Sequence, residues 1–311
     1  MTHNDSGRRR PFMRDALAAE HPLVMPLAHD ALAARMIEGA GFRAFAIGGS
    51  ALLAARYALP DLGLIGLEDM VQGIRDIAAA SDLPFMADGD DGYGDVKATV
   101  RMLRAYEAVG VGAILIEDQL RDLKQQRADK ARGVAEAEVI EQKLRAALAE
   151  RNHRHTIIIG RTDAYGVHGL DEALRRAHRF VELGCEGVFV AGLRQLDDFE
   201  RVGRALQGVP LLSAALFETP GMPWPRPADL ADMGFTQVSY PASLIFRVTA
   251  TLQAGLRDLR RHATGEATMF PDAGLLDARR VLDEALQVSE WQRIEANYAS
   301  SSGAGGTGGR E

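Results

Sequence analysis

The sequence predicts an α/β fold, a parallel (β/α)8 barrel of the TIM type, and three observations predict it. Eight short runs are apolar throughout, helical stretches separate them, and glycine repeatedly joins a helix to the next run. Uniformly apolar runs are typical of parallel strands that are covered on both faces. Eight strand-and-helix units are the number that closes a barrel, and a doubly wound open sheet is the alternative.

The apolar runs lie at residues 24–28, 44–47, 84–87, 113–116, 156–159, 187–190, 210–212 and 236–239. Between them, apolar residues spaced three and four apart predict helices, among them 67–80, 96–108, 135–149, 170–183 and 193–206. Gly41, Gly110, Gly184 and Gly234 each stand after a helix and just before a strand. Glycine suits the left-handed conformation that ends many helices, so these positions mark the helix-to-strand junctions.

The chain length of 311 residues and the 47% hydrophobic content suffice for one large domain. We expect this domain over residues 13–299, between a disordered N-terminal tail at 1–12 and a disordered Gly/Ser tail at 300–311. Two long helical stretches, 242–262 and 275–299, follow the last predicted strand. A single (β/α)8 barrel does not require the second of these helical stretches.

The net charge of −7 comes from intermixed acidic and basic residues, so the sequence shows no broad positive field. We therefore expect no nucleic-acid partner and no membrane partner. The single cysteine, Cys185, excludes an internal disulfide and a cysteine-rich zinc site, and its neighbourhood predicts a packing role. No apolar stretch of signal-peptide length follows the polar first residues, so we expect a cytoplasmic protein.

Carboxylates directly follow two neighbouring predicted strands. The third strand runs into Asp88-Gly89-Asp90-Asp91-Gly92-Tyr93-Gly94, and the fourth runs into Glu117-Asp118. The two-residue period of a strand points Asp88 and Asp90 to one side, and Glu117 arrives from the adjacent strand, so three oxygen ligands are expected to converge. A divalent cation such as Mg²⁺ prefers these oxygens and keeps crowded carboxylates ionised. The alternative interpretation is a solvated Asp/Gly turn.

Three further features lie at the predicted C-terminal ends of strands. Arg161 follows the fifth strand and offers a bidentate fork to a carboxylate, with a structural salt bridge to Asp163 or Glu117 as the alternative. Gly48, Gly49 and Ser50 follow the second strand, and their backbone N–H groups precede a helical run, an arrangement that suits an anion. His29 follows the first strand and is a candidate acid or base, the alternative being a surface or hydrogen-bonded histidine.

Taken together, these segments resemble the isocitrate lyase and phosphoenolpyruvate mutase superfamily. The resemblance covers about residues 20–250 and rests on Gly48-Gly49-Ser50, Leu59-Pro60-Asp61-Leu62-Gly63, the Asp88–Gly94 segment, Ile116-Glu117-Asp118-Gln119 and Arg161-Thr162-Asp163-Ala164. It implies that Asp88 ligates Mg²⁺, or alternatively Mn²⁺, directly, and that Asp61, Asp90 and Glu117 act close by or through bound waters. It also implies that Arg161 and the Gly48, Gly49 and Ser50 backbone hold a substrate carboxylate. Finally, it implies a last helix exchanged between subunits, and hence a homo-oligomer, a dimer or a tetramer.

The sequence departs from the lyases of this superfamily at two points and from its oxaloacetate decarboxylase branch at a third. Their gate-loop motif K-[KR]-C-G-H, with cysteine as the general acid, is replaced by Leu123-Lys124-Gln125-Gln126-Arg127. Gln125 donates no proton at neutral pH, so the acid of a 2-methylisocitrate lyase is missing. Ala191 stands where the lyases have a glutamate. Tyr240-Pro241 stands where the oxaloacetate decarboxylase branch, which also lacks the gate cysteine, has a histidine.

The resulting hypothesis is a Mg²⁺-dependent enzyme that cleaves a C–C bond, by decarboxylation or retro-aldol reaction, in a small 2-oxo or 2-hydroxy dicarboxylic acid. A metal-stabilised enolate would be formed, with Arg161, Lys124 and His29 as the catalytic candidates. One alternative is P–C bond chemistry of the phosphonomutase or phosphonopyruvate hydrolase type, which Lys124, Arg127 and Lys130 keep open. Another is a barrel that binds an oxo acid without turnover.

Overall fold

The computed structural model describes residues 10–121, 133–268 and 273–299. The strands are β1 (Leu23–Pro26), β2 (Phe45–Ile47), β3 (Phe85–Asp88), β4 (Ala113–Glu117), β5 (Ile157–Thr162), β6 (Gly187–Val190), β7 (Leu211–Ala215) and β8 (Gln237–Tyr240). All pair in parallel in the order β1-β8-β7-β6-β5-β4-β3-β2. A parallel bridge between Leu27 and Ala46 joins the two ends of this order, so the predicted barrel is confirmed.

Helices alternate with the strands. In the described part of the chain they are α1 (Met13–Ala19), α2 (Ala31–Gly39), α3 (Gly49–Tyr57), α4 (Leu67–Ala78), α5 (Val96–Ala108), α6 (Ala137–Glu150), α7 (Tyr165–His168), α8 (Leu170–Glu182), α9 (Leu196–Ala205), α10 (Pro227–Asp232), α11 (Ser243–Ala263), α12 (Ala273–Ala285) and α13 (Val288–Tyr298). Each predicted strand and helix overlaps an observed one. The four junction glycines, Gly41, Gly110, Gly184 and Gly234, have φ of 86, 84, 98 and 105°, which confirms the predicted helix ends.

Successive strand residues supply two separate cores. Met25, Met86 and Leu115 belong to a cluster in the barrel interior. Their strand neighbours, such as Ala87 and Ile114, belong to a second cluster with the surrounding helices. Both faces of the sheet are therefore apolar, which explains why the strands do not alternate between apolar and polar residues. The barrel interior also receives Met13 of α1, whose Cβ lies 3.3 Å from the position of a Cβ on Gly112, just before β4.

The C-terminal region differs from the expectation in one respect. The stretch 275–299 was expected to form a single helix, but it contains the two helices α12 and α13. Gln287, between them, has a left-handed φ of 56°, which a continuous α-helix does not allow. The chain forms two compact units, Met1–Gln253 with the barrel and Ala254–Glu311 with the helical C-terminal part. None of the described helices has the length and apolar character needed to span a membrane.

Candidate functional site

Three charged residues predicted for the site face the barrel interior at the C-terminal ends of adjacent strands. Asp88 ends β3 and Glu117 ends β4, whereas Arg161 lies one residue before the end of β5. The residue two positions before each of them belongs to the interior cluster, namely Met86, Leu115 and Ile159. Because strand side chains alternate between the two faces, the charged residues continue the interior face toward the mouth of the barrel.

Arg161 lies between two carboxylates. Its Nε and one terminal nitrogen donate to the two oxygens of Asp163 at 2.8 and 3.1 Å, and its other terminal nitrogen lies 2.8 Å from Oε2 of Glu117. Burial by itself lowers the pKa of Arg161, but the carboxylates around it, that of Asp163 foremost, raise it well above its ordinary value. The guanidinium is thus charged, and the structural salt bridge considered from the sequence is present. The predicted contact with a substrate carboxylate stays a prediction.

The acidic turn after β3 corrects one expectation. Asp90 was expected to share the side of Asp88 through the two-residue period of a strand, but β3 ends at Asp88 and Asp90 has a positive φ of 46°. The backbone N–H of Asp90 donates to Oδ1 of Asp88 at 3.0 Å, as in an Asx turn. The carbonyl of Asp90 accepts from the N–H of Glu117 at 2.9 Å. The turn therefore folds back on the end of β4 and lies beside the site by tertiary contact.

Below this turn, two tyrosines form a buried chain of hydrogen bonds. The hydroxyl of Tyr106 donates to the backbone carbonyl of Asp88 at 2.9 Å, and the hydroxyl of Tyr93 lies 3.2 Å from that of Tyr106. Burial raises the pKa of both phenols. Both stay protonated and hold the Asp88 backbone in place.

Arg121 contacts the same turn and is not among the site residues predicted from the sequence. One of its terminal nitrogens lies 3.4 Å from Oδ2 of Asp90 and 3.8 Å from Oδ1 of Asp91. The other terminal nitrogen donates to the carbonyl of Ile65, and the guanidinium stacks on the ring of Tyr93 with 4.9 Å from Cζ to the ring centroid. No local pattern marks an arginine two residues after Gln119 as a partner of a turn 31 residues earlier.

A second group joins β4, β5 and α8 behind the site. Asp118 accepts hydrogen bonds from the Thr162 hydroxyl at 2.6 Å, the Asp163 N–H at 2.8 Å and Arg176 at 3.0 Å. Burial raises the pKa of Asp118, and these hydrogen bonds oppose that rise. The same nitrogen of Arg176 donates to the carbonyl of Ala135 at 2.7 Å. Asp118 and Thr162 immediately follow Glu117 and Arg161, so this group sets the spacing of the two strand ends that carry the site.

Asp118 also lies just before the gate-loop segment, residues 120–133. Leu120 donates its N–H to Gly133 at 2.9 Å, and Ala135 donates its N–H to the carbonyl of Asp118 at 2.8 Å. Between these bonds, Gln119 and Val134 form an antiparallel bridge. The candidate gate residues Lys124, Gln125, Arg127 and Lys130 lie outside the described residues.

The segment after β2 lies beside Asp88. Gly48 precedes the first turn of α3, and a Cβ at Gly49 would lie 3.9 Å from Oδ2 of Asp88. A Cβ at Gly48 would lie only 2.7 Å from Cδ2 of Leu27, so a larger residue there would push the Leu27 side chain aside. The N-terminal N–H groups of α3 and its dipole therefore lie near the acid, and Ser50 is exposed.

His29 and Asp61 complete the predicted set. His29 is only 6% exposed, which rules out a surface histidine. Its Nε2 lies 3.6 Å from Oδ2 of Asp30, and its Nδ1 is buried without a hydrogen-bond partner among the described residues. Asp61 is partly buried in the segment between α3 and α4, the same segment whose Ile65 carbonyl is held by Arg121.

The donor atoms suit a hard divalent cation, although their arrangement is looser than the sequence implied. No set of three or more His, Cys, Asp or Glu side chains is arranged to hold a metal in the described ranges. Mg²⁺ often keeps several waters and binds through only one or two carboxylates. Asp88, half-buried beside the N-terminus of α3, with Glu117 on the next strand, is compatible with that mode.

Outside the gate-loop segment, the residues that differ from the superfamily pattern, and the single cysteine, lie near the ends of β6 and β8. Ala191 is buried after β6, so no carboxylate enters the site from this position. Cys185 is buried before β6, and burial raises the pKa of its thiol to about 12, in accord with a packing residue. Tyr240, at the end of β8, lies with its ring centroid 5.3 Å from that of the half-exposed Trp224.

Comparisons with known proteins find similar sequences over most of the chain. Residues 13–260 match the family model described as phosphoenolpyruvate phosphomutase. A probable 2-methylisocitrate lyase 2 of Corynebacterium glutamicum is 34% identical over 288 residues, which cover 92% of this chain and 91% of the relative. The 2,3-dimethylmalate lyase of Eubacterium barkeri is 29% identical over 291 residues, 93% of this chain and 97% of that protein.

Solved structures share the fold. Oxaloacetate acetylhydrolase in complex with 3,3-difluorooxalacetate superposes with a TM-score of 0.84 at 24% identity, covering 93% of this chain and 97% of the other. Phosphonopyruvate hydrolase in complex with oxalate and Mg²⁺ superposes with a TM-score of 0.76 at 25% identity, covering 93% and 98% of the two chains. Both likenesses extend over nearly the whole chain.

Proposed function

The chain belongs to the phosphoenolpyruvate phosphomutase family, within the isocitrate lyase/phosphoenolpyruvate mutase superfamily, and from this premise we propose that it is a Mg²⁺-dependent carbon–carbon lyase. Its substrate would be a small 2-oxo or 2-hydroxy dicarboxylic acid. The observation that carries the proposal is the meeting of Asp88, Glu117 and Arg161 on the interior face at the C-terminal ends of β3, β4 and β5. This is the end of a (β/α)8 barrel where active sites lie.

We propose that Asp88 ligates Mg²⁺ directly and that Asp61, Asp90 and Glu117 act close by or through metal-bound waters, with Mn²⁺ as an alternative ion. When bound, the metal would supply a Lewis acid that stabilises the negative charge of an enolate. Two features support the assignment. The Asp88 carboxylate lies beside the N-terminus of α3, and a relative of the same fold was solved with oxalate and Mg²⁺.

The chain's own residues would bind and orient the acid. We propose that Arg161, together with the backbone of Gly48, Gly49 and Ser50, holds the substrate carboxylate. Arg161 is held by Asp163 and Glu117, so its guanidinium is fixed before substrate binds. A preorganised cation needs little rearrangement when the reaction develops charge.

His29 is the proposed acid or base among the described residues. Its Nδ1 is buried after β1 and accepts or donates no hydrogen bond within the described part of the chain, so we propose that this ring nitrogen exchanges a proton with a ligand. Lys124, outside the described residues, is proposed to face the departing group. Gln125 supplies no proton, so the general acid differs from the cysteine of the superfamily's lyases.

We also propose a homo-oligomer, a dimer or a tetramer, formed by exchange of the C-terminal helices. Large apolar side chains are exposed along α11, α12 and α13, among them Phe246, Leu252, Leu256, Leu259, Leu276 and Trp291. Exposed apolar patches of this kind mark protein interfaces. A cytoplasmic location belongs to the same proposal.

The proposal is tested with purified protein and a panel of acids in the presence of Mg²⁺. The panel contains oxaloacetate, 2,3-dimethylmalate, 2-methylisocitrate and phosphonopyruvate, and product formation is followed with and without a chelator. We expect metal-dependent C–C cleavage of a small dicarboxylate. Turnover of phosphonopyruvate alone would instead establish P–C chemistry. Binding of oxalate with Mg²⁺ but no turnover of any acid would support a binding barrel and contradict a lyase.

A further inference from the structure

Arg121 places a positive charge on the carboxylates proposed to surround the metal. We propose that Arg121 is a built-in counter-ion that competes with the divalent metal for the negative charge of the Asp90–Asp91 turn, and so weakens metal affinity. The inference rests on the proposed metal site. It concerns a residue to which neither the family match nor the superfamily motifs assign a role.

The contacts of Arg121 hold its charge in place. Its guanidinium lies 3.4 Å from Asp90 and 3.8 Å from Asp91, and the side chain is 23% exposed against 13% and 18% for the two acids. The Tyr93 ring supports one face of the guanidinium, and the Ile65 carbonyl accepts from its second terminal nitrogen. These partly buried charges are less screened by salt than surface pairs are.

Competition follows from the position of this charge. A cation next to Asp90 stabilises the carboxylate in the metal-free protein and repels a divalent ion that approaches the same carboxylate. Asp91 differs from Asp90 because Lys143 also reaches it, with Nζ at 3.5 Å from Oδ2 and a hydrogen bond of 2.6 Å to the carbonyl. Removal of Arg121 therefore takes its positive charge away from both acids, and Asp91 keeps the contact with Lys143.

Arg121 also has a geometric role that the test must separate from its charge. Its hydrogen bond to Ile65 ties the segment carrying Asp61 to the Asp90 turn, and a Cβ on Gly63 would lie 3.0 Å from the Arg121 carbonyl. If geometry dominates, loss of the side chain loosens the site and metal binding weakens. If charge dominates, metal binding tightens.

Two substitutions distinguish these cases. Arg121→Met removes the charge and retains a long side chain that packs on Tyr93, whereas Arg121→Lys retains the charge and loses the planar fork. The measurement is direct Mn²⁺ binding to the substrate-free protein, followed by electron paramagnetic resonance. We expect Arg121→Met to lower the Kd by about three- to tenfold and Arg121→Lys to leave it within about twofold. High salt should reduce the difference between Arg121→Met and wild type.

The matched controls are Arg101→Met and Asp90→Asn. Arg101 pairs with the exposed Glu68 on α4, so its removal should leave Mn²⁺ affinity unchanged. In an Asp90→Asn background, the gain from Arg121→Met should largely disappear, because the carboxylate through which it acts is absent.

Unchanged or weaker Mn²⁺ binding by Arg121→Met would overturn the inference, and equal weakening by both Arg121 variants would show a geometric role. Asp88→Ala separates this failure from that of the proposed site. If Asp88→Ala binds Mn²⁺ as wild type does, the proposed metal site is wrong and the inference falls with it. If Asp88→Ala loses Mn²⁺ while Arg121→Met changes nothing, only the inference fails.

Discussion

At the scale of single residues, the carboxylates at the barrel mouth differ in how their charges are balanced. Arg161 balances Glu117 and Asp163, and Arg121 lies against Asp90. Asp88 lies beside the N-terminus of α3, where the helix dipole favours negative charge. We therefore assign direct metal ligation to Asp88 as a proposal that a single substitution tests.

Asp88→Ala should abolish metal-dependent oxalate binding and leave the barrel folded, because Asp88 is a half-buried rim residue and not part of either apolar core. Titration calorimetry with Mg²⁺ and oxalate measures the loss, and circular dichroism checks the fold. Asp171→Ala, which removes an exposed carboxylate paired with Arg201, serves as control. Unchanged Mg²⁺ affinity in Asp88→Ala would remove the residue from the site.

Arg161→Lys should weaken apparent affinity for the oxo acid by about 1–3 kcal/mol, because lysine cannot reproduce the fork that arginine offers a carboxylate. Steady-state kinetics and thermal unfolding are measured together. A purely structural role would lower the melting temperature and leave KM unaltered. In that case the salt bridge with Asp163 and Glu117 would account for the residue fully.

At the scale of elements, the ends of β4 and β5 are set by a group that faces away from the barrel interior. Asp118 bonds to Thr162, to the Asp163 N–H and to Arg176 of α8, and Arg176 reaches the Ala135 carbonyl. A helix, two strands and both ends of the gate-loop segment thus meet at one buried ion pair. The positions of Glu117 and Arg161 depend on this junction.

Arg176→Met should destabilise the fold by about 3–5 kcal/mol, because it leaves the Asp118 carboxylate buried and without its cation. Burial raises the pKa of Asp118, so the folded state binds the proton more tightly than the unfolded state does. The loss of stability caused by Arg176→Met should therefore grow as pH rises through the pKa of Asp118 in the folded variant, and it should shrink as pH falls through that pKa. Denaturant unfolding at several pH values measures this.

The double variant Asp118→Asn/Arg176→Met provides the control for that prediction. Because the buried charge is gone, it should be less destabilised than the sum of the two single variants. A deficit for Arg176→Met that does not change with pH would show that lost packing, and not the unpaired carboxylate, causes it.

Restoring the lyase motif in the gate-loop segment tests whether the pocket itself has diverged. Gln125→Cys with Gln126→Gly and Arg127→His restores the lyase motif but should not produce cleavage of 2-methylisocitrate. Ala191 still replaces the lyase glutamate, and a substrate misplaced by about 1 Å can lose roughly a hundredfold in rate. The assay is product formation from 2-methylisocitrate by the triple variant. Substantial turnover would show that only the acid had been lost and that the pocket had not diverged.

At the scale of the whole molecule, the C-terminal helices expose large apolar side chains. Leu252, Leu256 and Leu259 recur at helical spacing along α11 and are 60%, 64% and 53% exposed. Repeated exposure on one helix face supports the proposal that another chain covers this surface.

Light scattering on the purified protein should accordingly report a dimer or a tetramer. Leu256→Glu with Leu259→Glu should shift it toward smaller species, because burying two charges in an apolar interface is costly. Arg257→Glu, on the same helix, changes the charge without removing apolar surface and serves as control. A monomeric wild-type protein would contradict the proposed exchange of helices.

The sequence by itself determined the barrel and the neighbourhood of the site. Strand positions, helix positions, junction glycines and the acids at strand ends follow from hydrophobic period and from the conformations open to each residue, and both act over a few neighbouring residues. Asp88, Glu117 and Arg161 could be placed at one rim for this reason. The sequence did not predict the helix break at Gln287. Apolar residues continue at helical spacing on both sides of it, and the residue with the left-handed φ is not a glycine.

Only the tertiary structure decided how charges far apart in the sequence are paired. Arg121 meets Asp90 across 31 residues of sequence, and Arg176 meets Asp118 across 58. No local pattern encodes such pairs, because any arginine in the sequence satisfies a carboxylate equally well until the fold brings one of them within about 4 Å. The return of the Asp90 turn onto β4 was decided in the same way, by a backbone hydrogen bond to Glu117 that exists only once β3 and β4 are adjacent.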